Sequence, residues 1–302
     1  MSAAPTWCEL RDDATRRLLA GRLDGASREA WWMIEEVSGL RGAELVAAED
    51  LPSTRVSARR VDEMVTRRLG GEPLQYVLGS WSFRGIDLFV DARVLIPRPE
   101  TEVTAQVAID EAVRLGAAVG RRPVWSGTTT SYVVADLGTG CGALALALAA
   151  ELPDAEVWAT DVSADALAVA RANLAGAGTS ATRVRLAEGS WFGALPDELR
   201  GNLRLVVTNP PYVSEPEVAD LPPDVAWHEP RVALVSGATG LEAIEEILRE
   251  APDWLEPGGV VVIELDPRRV DTAMRIAGDV GFTDVRAEDD LTGRTRVLVV
   301  RR

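Results

Sequence analysis

The stretch Val133-Val-Ala-Asp-Leu-Gly-Thr-Gly-Cys-Gly-Ala143 decides the fold of this chain. It runs from a continuous apolar segment through an acid into three glycines, and a helical pattern follows. Glycines allow a tight turn whose backbone approaches a ligand closely, and the first turn of the next helix presents free N–H groups. The stretch therefore predicts a buried strand, a ligand-binding loop and a helix, and the loop residues are Gly138, Thr139, Gly140, Cys141 and Gly142.

An acid at the end of the next predicted strand extends this prediction. Asp161 follows Gly142 by 19 residues, where an acid accepts hydrogen bonds from a ribose diol. The glycines also satisfy the pattern G-x-G-x-x-A, so a nicotinamide dinucleotide stays an alternative, as does a turn without a ligand. A further acid, Asp136, precedes the first glycine, and with it the motif resembles the S-adenosylmethionine (AdoMet) methyltransferases more. An acidic strand end suits a methionine ammonium and a sulfonium better than a pyrophosphate.

A second motif, Leu205-Val-Val-Thr-Asn-Pro-Pro-Tyr212, places a polar tetrapeptide directly after an apolar strand. The –NH2 group on an sp2 carbon is a poor nucleophile, and two acceptors that bind both of its hydrogens favour the geometry that attacks a methyl group. Asn209 offers a side-chain carbonyl, Pro210 a main-chain carbonyl, and Tyr212 a flat face for a planar amide or base. The alternative is an Asx-Pro turn that only ends a strand. The motif is typical of N-methyltransferases, whose target nitrogen is adenine N6, cytosine N4 or glutamine N5.

The order of elements after residue 132 predicts a parallel sheet with flanking helices. Strand patterns cover 132–137, 156–161, 182–187, 203–208 and 259–265, and helical patterns cover 142–151, 163–175, 239–250 and 268–279. The last two strands, 282–287 and 295–300, have no helix between them, so we expect an antiparallel hairpin.

The first hundred residues predict a different organisation. Apolar residues recur at helical spacing from Glu9 to Leu69, and Trp31 and Trp32 are expected in the core of a small helical bundle. The segments 74–78 and 82–90 are β-rich, with Arg84-Gly85 as the hairpin turn. A helix from Glu100 to Val119 follows, and then an exposed loop at 121–131. We therefore expect a helical domain at 1–71, a β-hairpin linker at 72–99 and the α/β domain at 100–302.

Charge and composition limit the class of protein. The chain has 302 residues and a formal net charge of −15, and all of its basic residues are arginines. Residues 1–85 carry 13 acids and 12 arginines, so the acidity falls on the rest of the chain, and the nearly neutral helical domain is the better candidate for selecting a substrate. A protein that depends on phosphate contacts shows a basic stripe, so direct nucleic-acid binding is disfavoured.

Cellular location and metal content are also constrained. The two cysteines, Cys8 and Cys141, lie too far apart in sequence for a metal cluster, and we expect no metal. The first residues lack the charged and apolar regions of a signal peptide, and no apolar run approaches the about 20 residues of a membrane span. We therefore expect a cytoplasmic protein without a membrane partner.

Several flanking stretches closely resemble the PrmC/HemK family of peptide-chain release factor glutamine methyltransferases. They are Gly71-Glu-Pro-Leu-Gln-Tyr-Val-Leu-Gly79, Phe83-Arg-Gly-Ile-Asp-Leu-Phe-Val90, Val94-Leu-Ile-Pro-Arg-Pro-Glu-Thr-Glu102, Gly189-Ser-Trp-Phe192, Glu229-Pro-Arg-Val-Ala-Leu234, Leu255-Glu-Pro-Gly-Gly259 and Asp290-Leu-Thr-Gly-Arg294. The resemblance runs from about Arg28 to the C-terminus. Glu264-Leu-Asp-Pro267 departs from the usual Glu-Ile-Gly of the family.

The resemblance implies a seven-stranded, Rossmann-like class I AdoMet-dependent methyltransferase domain, preceded by a small helical bundle and a β-hairpin linker. It implies methyl transfer from AdoMet, with S-adenosylhomocysteine as product, to the glutamine N5 of the Gly-Gly-Gln loop of release factors. The AdoMet loop falls on Gly138 to Gly142, the ribose acid on Asp161 and an aromatic contact on Trp191. Asn209 also borders the cofactor, and Asn209, Pro210, Pro211 and Tyr212 match the substrate-amide clamp, with Asn209, Pro210 and Tyr212 as catalytic residues.

Three alternatives remain open at the level of sequence. The first is a DNA or RNA amino-methyltransferase acting on adenine N6, which the net charge disfavours. The second is a ribosomal-protein glutamine methyltransferase, which the sequence barely separates from the main interpretation. The third is a catalytically silent binding partner on a methyltransferase scaffold. The intact glycine loop and Asn209 argue against it, because a silent protein need not keep both.

Overall fold

The computed structural model describes residues 4–118 and 132–302. The chain forms two compact units, one of Met1–Ser80 with Pro222–His228 and the other of Trp81–Leu221 with Glu229–Arg302. Each unit has its own apolar core. The predicted loop at 121–131 and the predicted helix end at Val119 lie outside the described residues.

Helices and strands follow the predicted order along most of the chain. The described α-helices are α1 (Trp7–Ala20), α2 (Ala26–Ser38), α3 (Ala43–Ala48), α4 (Arg55–Leu69), α5 (Leu74–Leu78), α6 (Pro99–Ala118), α7 (Ala143–Glu151), α8 (Ala164–Gly176), α9 (Pro223–His228), α10 (Arg231–Leu234), α11 (Glu242–Trp254) and α12 (Val270–Val280). The described strands are β1 (Ser80–Phe83), β2 (Ile86–Phe89), β3 (Tyr132–Leu137), β4 (Ala155–Asp161), β5 (Val184–Glu188), β6 (Leu203–Thr208), β7 (Leu255–Glu264), β8 (Asp284–Asp289) and β9 (Thr295–Arg301).

The first unit is a helical bundle, as the apolar spacing predicts. Leu18, Met33 and Val65, from α1, α2 and α4, are fully buried in its core. Trp31 and Trp32 are only half-buried against this core, and each ring lies near an arginine guanidinium. The two tryptophans therefore cover the edge of the core, since a large ring that also contacts a hydrated cation stays partly in water.

The segment Leu74–Leu78 is the helix α5, so the prediction of β structure there was wrong. Pro73 precedes the helix, and Gly79 ends it at φ 78°, a left-handed conformation that glycine adopts without strain. Leu74 and Val77 lie three residues apart, and both pack into the helical core. Helical burial of this pair therefore outweighs the β propensity of the segment.

The second unit is built on a seven-stranded sheet in the order β5-β4-β3-β6-β7-β9-β8. Strands β3 to β7 run parallel, and β9 pairs antiparallel with both β7 and β8, which confirms the predicted hairpin. The parallel strands are apolar almost throughout because helices cover both faces of such a sheet. This is the predicted Rossmann-like fold. The hairpin β1–β2 turns at Arg84-Gly85, as expected.

None of the helices in the described ranges 4–118 and 132–302 is long and apolar enough to cross a membrane.

Candidate active site

Three neighbouring strands deliver the predicted site residues to one edge of the sheet. In the sheet register, Leu137 at the end of β3 pairs with Thr160 of β4 on one side and with Thr208 of β6 on the other. The next residues, Gly138, Asp161 and Asn209, therefore come together at the carboxyl ends of the strands. Ligands of open α/β sheets bind where the strand order reverses, which here is the position of β3.

The glycine loop has a backbone that requires glycine at its first positions. Gly138 and Gly140 have φ of 74° and 56°, values that L side chains rarely adopt. A Cβ on Gly138 would lie 3.2 Å from the Trp191 ring, whereas the space beside Gly140 is open. The N–H groups of Gly138 and Thr139 both donate to the Thr160 carbonyl, at 2.9 and 2.8 Å. The loop is therefore held against β4 and has room on its outer side.

Two acids lie under this loop. Asp136 is fully buried, and its Oδ2 accepts hydrogen bonds from the Thr139 hydroxyl at 2.6 Å and the Ala145 N–H at 3.0 Å. Its Oδ1 is buried without a hydrogen-bond partner among the described residues. Burial raises the pKa of Asp136 to about 7. The two hydrogen bonds oppose this rise, and the negative charge of Asp161 adds to it.

Asp161 is tied to the loop by its side chain. Its two oxygens accept hydrogen bonds from the N–H groups of Gly140 and Ser163, each at 2.9 Å. Burial raises the pKa of Asp161, and these backbone bonds oppose the shift. Each carboxylate oxygen keeps a further lone pair, so Asp161 can still accept from a ligand.

Gly138 and Gly140 of the loop, Asp161 and Asn209 line one cleft with a cavity volume of about 120 Å³. Trp191 contributes to the same wall, and Thr139 and Cys141 line its adjoining part, together with Gly138, Gly140 and Asn209. Most predicted cofactor residues therefore meet there. Gly142, Pro210, Pro211 and Tyr212 are not among the described residues that line the cleft.

The predicted residues outside the lining have other surroundings. A Cβ on Gly142 would lie 3.4 Å from the Ala170 Cβ, so this glycine allows α8 to approach the loop. Pro210 is buried, and burial raises the pKa of Tyr212 to about 12, which keeps its phenol neutral. Burial also raises the pKa of Cys141 to about 12, so its thiol is a small buried group and not a nucleophile.

Asn209 is oriented by a residue that the sequence did not single out. Its Nδ2 donates to the hydroxyl of Thr101 at 3.3 Å, and no described residue forms a hydrogen bond to its Oδ1. Thr101 lies in α6, in the stretch Arg98-Pro-Glu-Thr-Glu102 that carries the resemblance. The stretch was the available signal, but the separation of 108 residues in sequence concealed the contact.

Arg98, which from sequence could either pair with an acid or orient a substrate loop, forms an ion pair with the buried carboxylate of Glu229. One Arg98 nitrogen donates to both oxygens of Glu229, at 2.7 and 2.6 Å, and the Glu229 side chain is only 1% exposed. Pro97 and Pro230, the immediate neighbours of the pair, both line the cleft. The pair therefore fixes two walls of the cleft relative to each other.

Family comparisons agree with this geometry. The family model of the PrmC N-terminal domain matches residues 9–79, and that of the methyltransferase small domain matches residues 125–223. A solved structure of the hMettl16 catalytic domain, in complex with a 3′UTR hairpin, is similar to this chain with a TM-score of 0.52 and 14% sequence identity. It covers 82% of this chain and 81% of that one, and at this identity the likeness shows the fold alone.

Two curated relatives are similar in sequence. The release factor glutamine methyltransferase of Geobacter sulfurreducens is 35% identical over 287 residues, which are 95% of this chain and 93% of that protein. The one of Deinococcus radiodurans is 37% identical over 298 residues, which are 97% and 99% of the two. Because identity at this level extends along nearly the whole of both chains, this chain is a methyltransferase and belongs to the release factor glutamine methyltransferase family.

Proposed function

We propose that the protein transfers a methyl group from AdoMet to the side-chain amide N5 of the glutamine in the Gly-Gly-Gln motif of peptide chain release factors. One observation carries this proposal: Asn209 of the amide clamp (Asn209–Tyr212) lines the same cleft as the glycine loop. A donor of a methyl group and an amide acceptor would therefore meet across a few ångströms, which is the positioning that such a transfer needs.

The residues present fit AdoMet. Gly140 has open space beside it, Asp161 keeps acceptor capacity for ribose hydroxyls, and Trp191 offers an apolar wall. Asp136 adds a buried acidic oxygen without a partner among the described residues, under the loop. When bound, AdoMet supplies a methyl group on a positively charged sulfur, and the acids Asp136 and Asp161 beside the loop are compatible with that charge.

The amide clamp would fix the attacking nitrogen. The Asn209 Oδ1 and the Pro210 carbonyl would each accept one amide hydrogen, which directs the nitrogen lone pair away from its own carbonyl. Both acceptors also stabilise the positive charge that develops on the nitrogen, so their effect is greatest in the transition state. The neutral ring of Tyr212 is the candidate for stacking against the planar amide.

No strong base is required in this scheme. The amide nitrogen becomes acidic only after it has gained the methyl group, and its proton can then pass to water. The elevated pKa of Tyr212 is consistent with a role in packing and not in proton transfer.

The release factor as protein substrate is supported by the relatives, both named release factor glutamine methyltransferase. The formal net charge of −15 disfavours nucleic acid as the methyl acceptor and favours a basic protein loop. The cytoplasm, where release factors act, is the location that this proposal requires.

The direct test replaces Asn209 and separates chemistry from binding. In Asn209→Ala we expect kcat on a purified release factor to fall at least about a hundredfold, because an acceptor of the developing charge is lost. The AdoMet dissociation constant, from calorimetry, should change by less than about threefold. Asn202→Ala removes an exposed asparagine that does not line the cleft and is the matched control. An Asn209→Ala enzyme with unchanged kcat contradicts the proposal.

A further inference from the structure

A buried carboxylate lies at the end of the strand next to Asn209. Glu264 ends β7, the neighbour of β6, and is only 1% exposed. The hydroxyl of Thr104 donates to its Oε2 at 3.0 Å. Thr101 lies beside the same carboxylate, and its side-chain hydrogen bond lowers the Glu264 pKa. Both threonines come from α6. Among residues 4–118 and 132–302, hydroxyl groups and not an ion-pair partner therefore hold Glu264.

When Glu264 is ionised, the contacts that join Glu264, Thr101 and Asn209 allow only one arrangement of their hydrogen atoms. A carboxylate only accepts, so the single hydroxyl hydrogen of Thr101 points to Glu264. The Thr101 oxygen then has only lone pairs left for Asn209, and it accepts from Nδ2. The two ends of an asparagine amide have nearly the same shape, so such a network decides which end faces which neighbour.

We propose, on the basis of the proposed function, that Glu264 and Thr101 are positioning residues that hold the Asn209 amide with its carbonyl oxygen toward the substrate. With the opposite orientation, the Asn209 –NH2 group would face the –NH2 group of the substrate amide. Two donors would then meet, and the nitrogen would lose one of its two acceptors. The arrangement therefore selects the orientation that can bind an amide nitrogen.

The same arrangement makes the activity depend on pH. Burial raises the pKa of Glu264 to about 7, against the opposing hydrogen bonds of Thr101 and Thr104. Arg296 on β9 lowers this pKa and Glu100 on α6 raises it, while the Tyr212 phenol stays neutral. Protonated Glu264 can donate to Thr101, which frees the threonine hydrogen for Asn209 Oδ1. Turnover should therefore fall as the pH drops below about 7.

Four variants test this relay of hydrogen bonds, which runs from Glu264 through Thr101 to Asn209. Thr101→Val keeps the shape but removes the hydroxyl, and kcat should fall about tenfold while the AdoMet KM changes less than about twofold. Thr101→Ser restores the hydroxyl, and kcat should return to at least about half of the wild-type value. Glu264→Gln replaces a carboxylate that only accepts by an amide that also donates, so it cannot fix the direction of the Thr101 hydroxyl. Its kcat should therefore fall. Thr104→Val removes a hydroxyl that contacts Glu264 but not Asn209, so its kcat at alkaline pH should stay within about twofold. Its acidic limb should move to higher pH, because a hydrogen bond that lowers the Glu264 pKa is lost.

The pH profile provides a readout that a general structural role would not change. The wild-type kcat, measured from about pH 5.5 to about pH 9, should show an acidic limb, and Glu264→Gln should lack it. Circular dichroism confirms folding at each pH. If Thr101→Val does not fold, the pH profiles of Thr101→Ser and Glu264→Gln test the relay instead. Thr101→Ser should keep the acidic limb of kcat, and Glu264→Gln should lack it.

The outcomes separate this inference from the proposed function. An Asn209→Ala enzyme that retains full kcat refutes the amide clamp itself. An inactive Asn209→Ala enzyme combined with wild-type kcat in Thr101→Val, or with the same acidic limb in Glu264→Gln, overturns the relay and leaves the clamp in place.

Discussion

Asn173 binds the carbonyl of Cys141 in the glycine loop with its Nδ2, at 2.8 Å, from a buried position in α8. The same side chain donates to the Phe89 carbonyl at 3.0 Å and accepts from the Phe89 N–H at 2.7 Å. One amide therefore joins the loop to the end of β2. The chain that follows β2 supplies Arg93, Val94 and Leu95 to the cleft.

Replacement of Asn173 should affect both stability and cofactor binding. Asn173→Ala leaves three backbone groups without their partner, and we expect a loss of about 2–4 kcal/mol in the free energy of unfolding. Because the loop and the segment after β2 are released together, AdoMet affinity should fall severalfold. Urea unfolding and calorimetric titration measure the two effects. Asn202→Ala removes exposed bonds to the Glu198 and Arg200 carbonyls, so it should cost less than about 1 kcal/mol and leave AdoMet affinity unchanged.

Asp161 should contribute mainly to cofactor binding. Asp161→Ala removes a charged acceptor for ribose hydroxyls, so AdoMet should bind more weakly by about 1.5–3 kcal/mol, about ten- to a hundredfold. Because Asp161 also accepts from the Gly140 and Ser163 N–H groups, Asp161→Asn, which keeps an oxygen, should lose less. Equal AdoMet affinity in wild type and Asp161→Ala, or tighter binding of a nicotinamide dinucleotide, would refute the assignment.

The Arg98–Glu229 pair should matter far more than a surface pair. Arg98→Met leaves the buried Glu229 carboxylate without this arginine, and we expect a loss of about 2–4 kcal/mol, reduced from the full burial cost because Arg98 is partly exposed. Arg16→Met breaks the exposed pair with Asp13 and should cost less than about 1 kcal/mol. Denaturant unfolding compares the two. Similar losses would show that the buried pair has no special role.

Glu264 should make stability fall as the pH rises. Its folded-state pKa of about 7 lies above the ordinary value of 4.5, so the folded protein holds a proton that the unfolded chain releases between these values. This stabilisation is complete below about pH 4.5 and is lost as the pH rises to about 7. The free energy of unfolding falls by at most about 3 kcal/mol over this range. Relative to wild type, Glu264→Gln should therefore gain stability between about pH 5 and pH 8 in urea unfolding. A constant difference would contradict the shifted pKa.

The helical unit should select the folded substrate. Trp227 in α9 belongs to this unit and is 77% exposed, which is unusual for a tryptophan outside an interface. In Trp227→Ala we expect the KM for a whole release factor to rise severalfold and the KM for a short Gly-Gly-Gln peptide to stay unchanged. Leu291→Ala, at a 95% exposed position of the other unit, is the control. Equal changes on protein and peptide would contradict this role.

The sequence predicted what depends on local pattern. The glycine loop, the acid Asp161 and the clamp at Asn209 each follow an apolar strand directly, so strand order alone brings them together. The helix α5 was predicted as β structure because a five-residue segment gives too few turns for its helical period to stand out. Its burial in the helical core comes from packing against α2 and α4, which no local pattern encodes.

The sequence could not predict contacts between distant segments. Thr101 and Asn209 are separated by 108 residues, Arg98 and Glu229 by 131, and Thr104 and Glu264 by 160. The assignment of Pro222–His228 to the helical unit is equally non-local, because this segment follows the clamp in the chain. Residues that position the clamp are therefore visible only once the sheet and α6 are assembled.

One measurement tests the central claim most directly. Purified release factor is incubated with the enzyme and AdoMet labelled on the methyl group, and the labelled peptide is then mapped. We predict a single label on the glutamine side-chain amide of the Gly-Gly-Gln motif. The label should be absent when that glutamine is replaced, and the labelling rate should fall at least about a hundredfold when the enzyme carries Asn209→Ala. Label on another residue, or on nucleic acid offered in the same reaction and not on the release factor, would contradict the account.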